Sequence, residues 1–162
     1  MLLDRVLQVE NVRLHLLADS KEDVLRQMSC LLYESGRVKD RDLFLGDVLE
    51  REKLGFTGAG NGIAIPHGVS KQADQIAVAV ARCEKTIRWD TWQEDIPDDA
   101  RNVRLVILFA VPDTPAENAD IKYIEVLKTI CGRIADKQAA KGLMEAEDPV
   151  QIMKLLKGGG YG

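Results

Sequence analysis

Cysteine, histidine and long apolar runs are scarce in this 162-residue chain, and the shortages close several classes of function. The three cysteines, Cys30, Cys83 and Cys131, are odd in number, far apart and without a CxxC spacing. Neither a disulfide framework nor a zinc cage follows from them. Cys30 and Cys131 fall inside apolar helical patterns and read as buried free thiols. The opening MLLDRVLQVENVRL is interrupted by Asp4, Arg5, Gln8 and Glu10. That breaks any run of signal-peptide length, and nothing later approaches the roughly 18 apolar residues of a membrane span. A cytoplasmic protein is expected. No excess of positive charge is present either, since the net charge is −4, so nucleic acid is not an expected ligand.

What remains is a globular mixture, 46% hydrophobic and 30% charged. Its length fits one domain, taken as residues 1–162 with a loose GGGYG tail. Val12 to Leu17 begins with strand-like alternation. Ser20 with Asp23 resembles a capping box, and Val24, Leu25, Met28, Leu31 and Leu32 follow as a helical stripe that Gly36 stops. A second helix is predicted from Asp40 to about Lys53. Gly55 to Gly62 carries four glycines in eight residues and reads as a loop with special backbone angles. Ile63 to Ile65 is a short strand ended by Pro66. Ile76 to Ala81 and Val103 to Val111 are wholly apolar, as for strands covered on both faces. A long helical pattern runs from Glu117, and shorter ones cover 137–146 and 149–156. The expected fold is a single-domain α/β/α sandwich with a mixed central sheet and helices on both faces.

Only two histidines are available for chemistry. His15 sits between Leu14 and Leu16 on the first strand and reads as a structural or surface residue. His67 lies between Pro66 and Gly68, after the glycine segment. Pro66 restricts the approach, and Gly68 is expected to let the backbone leave in a direction other residues resist. The glycine segment is neither a dinucleotide fingerprint nor a P-loop, because no Gly-Lys-Ser/Thr follows and no helix opens after it. It reads instead as a source of backbone N–H groups near His67.

The run Arg51-Glu52 … Phe56-Thr57-Gly58-x-Gly60-x-Gly62-Ile63-Ala64-Ile65-Pro66-His67-Gly68 resembles the active-site signature of the mannitol/fructose-type IIA components of the bacterial sugar phosphotransferase system (PTS), which include the nitrogen-regulatory IIA proteins. The opening strand and helix, the strand IAVAVA and the late strand with its long helix occur in similar order, so the resemblance covers about residues 10 to 156. It implies that His67 takes a phosphoryl group from phospho-HPr and passes it to a IIB domain or protein. It also implies that no cofactor or metal is needed, that the protein never touches the sugar, and that it can associate with a membrane IIB/IIC transporter. Neutral imidazole suits that task, being abundant at neutral pH and nucleophilic without a strong base.

By the same resemblance Arg51 would donate to the phosphoryl group, or else serve as a helix-end cation. Thr57 would donate to the phosphoryl group or shape the turn. The family usually places a second histidine at the start of the helix after the late strand, and by the resemblance this sequence sets Asp120 there. A carboxylate would repel the phosphoryl group or fix the imidazole tautomer, unless Asp120 is only an acidic first-turn residue. The acidic stretch from Trp89 to Asp99 is closer to the mannitol-type pattern. Two other readings stand beside the phosphocarrier. One is a regulatory module whose His67 phosphorylation state controls a protein partner. The other is a degenerate scaffold that is no longer phosphorylated.

Overall fold

The two apolar strands organise everything else. In the computed structural model, which describes residues 2–113 and 119–158, β5 (Ala77–Arg88) and β6 (Asn102–Pro112) pair antiparallel at the centre of a six-stranded sheet. Both faces of the pair are covered, which is why neither strand alternates in polarity. Ala79, Ala81, Val106, Leu108 and Ala110 point to one layer, with α2 (Lys21–Glu34) and α3 (Arg41–Glu52). Val78, Val80, Leu105, Ile107 and Phe109 point to the other, with α4 (Ala119–Ala135), α5 (Lys137–Glu145) and α6 (Pro149–Lys157). The sandwich and the mixed sheet are therefore as expected. Among the described residues no helix is long and apolar enough to cross a membrane.

Helix starts follow their caps. Ser20 accepts from the Asp23 N–H, Asp40 from the N–H groups of Asp42 and Leu43, Asp136 from that of Ala139, and Asp148 from that of Gln151. Gly36, at φ 78°, follows the end of α2. Strand β1 (Val12–Leu16) pairs parallel with β5 at one side of the sheet.

Several expectations need correction. A short helix α1 (Leu2–Val6) precedes the region of resemblance, and Leu3, Val6 and Leu7 are buried in the layer of α4 to α6. Strand β5 runs seven residues past Ala81, because its second half is an ordinary half-exposed ribbon without the apolar run that marked the first. Cys83 is the buried thiol, whereas Cys30 and Cys131 are only partly covered.

The glycine segment is not all loop. Gly58–Gly60 forms β2, antiparallel to β3 (Ile63–Ala64), with Gly60, Asn61 and Gly62 turning between them at φ 87°, 56° and 76°. These left-handed angles are what the glycines supply. Asn61 also donates to the Ile134 carbonyl at 3.2 Å, tying the turn to the end of α4. After Ile65 and Pro66 the chain enters β4 (His67–Ser70), so His67 opens a strand and does not trail one. Both β3 and β4 pair parallel with β6 in a single register, Ile63 with Leu105 and His67 with Phe109. Pro66 interrupts one lane of the sheet without shifting it.

Candidate functional site

Gly68 explains why a histidine can stand where His67 does. Its backbone is not left-handed, contrary to the sequence reading; what it supplies is room. A Cβ there would meet Val48 Cγ2 at 2.7 Å and Phe44 Cε1 at 3.0 Å, both fully buried side chains of α3. Strand β4 can therefore lie directly on α3, and His67, one residue earlier, faces the opposite layer. Gly68→Ala should destabilise the protein by about 1–3 kcal/mol, the usual cost of overpacking. Chemical denaturation measures this, and a cost near zero would mean that Phe44 and Val48 can step aside.

The His67 imidazole is half-buried and held at both nitrogens. Nδ1 lies 3.1 Å from the Ile65 carbonyl oxygen, which can only accept, so Nδ1 carries the hydrogen. Nε2 then holds the lone pair, and Arg51 Nε donates to it at 3.1 Å. A second Arg51 nitrogen, Nη1, donates to the Gly55 carbonyl at 3.3 Å. Arg51 thus comes from the last turn of α3, is steered by the start of the glycine segment, and ends on Nε2 of His67. The contact this segment makes with the site is that carbonyl, which orients a cation.

Burial pushes the His67 pKa below its ordinary value; the bond to Ile65 opposes this, the Arg51 charge adds to it, and Glu52 opposes it. Protonation would place the proton on Nε2 and occupy its lone pair. A lowered pKa keeps Nε2 free at pH values where an ordinary histidine, near 6.5, is half protonated. Any reaction at Nε2 should therefore hold its rate as pH falls through about 6.5 and lose it only below that. An NMR titration of the His67 ring checks the same pKa directly, and a midpoint above 6.5 would contradict the burial argument.

Thr57 is brought near but is already engaged. Its buried hydroxyl donates to the Glu52 carboxylate, at 2.8 and 2.9 Å from the two oxygens, and accepts from Trp89 Nε1 at 2.9 Å. Lys21 Nζ pairs with the same carboxylate at 2.6 Å and lies 5.3 Å from the centre of the Trp89 ring. With its one proton given to Glu52, Thr57 serves the turn-shaping alternative. Next to this network, Gln93 accepts from the Phe56 N–H at 2.6 Å and Trp92 Nε1 donates to the Lys53 carbonyl at 2.7 Å. The acidic stretch from Trp89 thus clamps the segment that holds Arg51. The roles of Glu52 and Trp89 were missed because their partners lie on other elements. The only local hint was that Glu52 adjoins Arg51.

His15 is far from this chemistry, on β1, where it is exposed and paired with Glu84 at 2.5 Å. Asp120 lies in the first turn of α4, and its side chain is outside the described residues. The α4 residue whose ring is set against His67 is Tyr123, with centroids 6.3 Å apart. Sequence reasoning did not single it out, because a tyrosine in an apolar helical stripe reads as core. Among the described residues no cluster of three metal-ligating side chains is present.

The family model described as "Phosphoenolpyruvate-dependent sugar phosphotransferase system, EIIA 2" matches residues 5–159. The fructose-like EIIA component of the Escherichia coli PTS is 29% identical, over 90% of this chain and 90% of that protein. The 2-O-alpha-mannosyl-D-glycerate-specific EIIABC component of the same organism is 30% identical over 86% of this chain, which spans only 20% of that longer protein. Among solved structures, the nitrogen regulatory protein IIA-Ntr of Neisseria meningitidis superimposes with a TM-score of 0.81 at 26% identity, covering 96% of this chain and 99% of that one.

Proposed function

The chain belongs to the EIIA type 2 family of the sugar phosphotransferase system, and on that premise we propose that it accepts a phosphoryl group from phospho-HPr on Nε2 of His67 and hands it to a IIB component. The observation that carries this is the pair of contacts on the imidazole, Nδ1–H to Ile65 and Nε2 to Arg51. In the transfer, the lone pair of Nε2 forms the new P–N bond while the donor's P–N bond breaks and its nitrogen keeps the electron pair. No proton needs to move at Nε2, since the hydrogen stays on Nδ1. The transition state spreads charge over the phosphoryl oxygens, so it calls for position and donors more than for covalent machinery. Arg51 already lies where those oxygens arrive, and one small movement turns its donors from the lone pair to the phosphate. Delivery to a IIB acceptor is supported by the relative named EIIABC, and the transfer is proposed as a cytoplasmic one.

Incubation with enzyme I, HPr and phosphoenolpyruvate should add the mass of one acid-labile phosphoryl group, and a IIB protein should then remove it. Failure to gain that mass would reduce the chain to a scaffold. The likeness to IIA-Ntr favours a second reading, a regulatory module switched by the same phosphorylation. A chain that gains the mass but is discharged by no IIB protein would decide for it.

A further inference from the structure

Tyr123 stands beside the imidazole with a hydroxyl that the fold does not use. Its ring lies 6.3 Å from that of His67 at an interplanar angle of 55°, and meets Phe109 edge-on at 6.1 Å and 79°. Phe109 is fully buried on β6 and is the register partner of His67. Sheet register and helix packing together therefore hold the tyrosine plane against the histidine. The side chain is half-buried, and among the described residues its hydroxyl makes no hydrogen bond. The hydroxyl is not among the buried polar atoms left without a partner, so it is open to water, which a phosphoryl oxygen can replace. Burial keeps the phenol protonated, raising its pKa, while the charge of Arg51 is close enough to pull the other way. Arg51 is bonded to Nε2, and the Tyr123 ring flanks the same imidazole.

We propose, resting on the His67 reading, that Tyr123 is a second phosphoryl-binding residue, its hydroxyl donating to a phosphoryl oxygen on Nε2. The electrostatics call for such a group. A phosphoryl group brings close to two negative charges into a half-buried site and carries more acceptor lone pairs than one arginine fills. A neutral donor on the wall away from α3 adds a hydrogen bond without adding a second full charge. The bound group would then remain transferable. Tyr123 forms no covalent bond and keeps its proton throughout.

Tyr123→Phe keeps the ring and its contact with Phe109, so folding is expected to be unchanged. Wild type and Y123F would each be phosphorylated by phospho-HPr and, separately, by phosphoramidate as a small-molecule donor. Phosphorylation rate is read by intact mass, and the second ionisation of the phosphoryl group by 31P NMR against pH. We expect Y123F to accept from both donors roughly five- to tenfold more slowly, the scale of one neutral hydrogen bond. Its phosphoryl group should also titrate at higher pH, because the lost donor favoured the dianion. Wild-type rate and titration in Y123F would overturn the proposal. So would a slower rate with unchanged titration, which would leave Tyr123 only orienting the imidazole. If wild type takes no phosphoryl group on His67 from either donor, the phosphocarrier reading falls and takes this one with it.

Discussion

His67→Ala should add no phosphoryl mass after incubation with enzyme I, HPr and phosphoenolpyruvate, while His15→Ala gains it as wild type does. The contrast is physical and does not depend on the motif. His67 has one nitrogen tied as a donor to a backbone carbonyl and the other presenting its lone pair to a cation. His15 is exposed on β1 and held by the Glu84 carboxylate, with no arginine drawn to its ring among the described residues. A carboxylate beside the ring repels an incoming phosphoryl anion and offers it no donor. Alanine at position 67 removes the acceptor atom and leaves the β4 backbone pairing to β6 in place. Persistent modification of H67A would overturn the assignment of the acceptor outright.

The second large effect belongs to Arg51. Arg51→Ala should slow phosphoryl acceptance by about one to three orders of magnitude, the range for loss of one preorganised donor to developing charge. The loss should fall on the chemical step more than on partner binding, since the guanidinium is aimed at Nε2. The same substitution should raise the His67 pKa, because it admits water and removes a neighbouring positive charge. Lysine should rescue only partly. An ammonium carries the charge but lacks the planar fork that lets Arg51 bond the Gly55 carbonyl and His67 together. Stopped-flow or quenched mass measurements across pH would separate the two effects. An unchanged rate would return Arg51 to the role of a helix-end cation.

Local chemistry made much of this legible from the sequence. Ser20 and Asp40 marked the helices they cap, the apolar runs 76–81 and 103–111 marked strands covered on both sides, and the Arg51-to-Gly68 signature marked the imidazole. The misreadings share a cause. Gly68 looked like a backbone hinge, since only its own residue type was visible, yet its reason for being glycine is Phe44 and Val48, about twenty residues away in the chain. Thr57 stood between phosphoryl donor and turn shaper for the same reason, since Glu52 and Trp89, which occupy its hydroxyl, were not visible as its partners.

By itself, then, the sequence determined what short-range rules control: where most elements begin and end, and which faces are apolar. Those follow from capping, period and turn chemistry within a few residues. Only the tertiary structure decided which nitrogen of His67 is free, what steers Arg51, and which residue of α4 meets the ring. Two of these rest on backbone carbonyls near in sequence, Ile65 and Gly55, whose aim is fixed only by the folded path of the chain, and the third on the Tyr123 side chain from α4. No local pattern encodes such contacts, because the register of β3 and β4 on β6 and the seating of α4 over Phe109 exist only once the layers have closed.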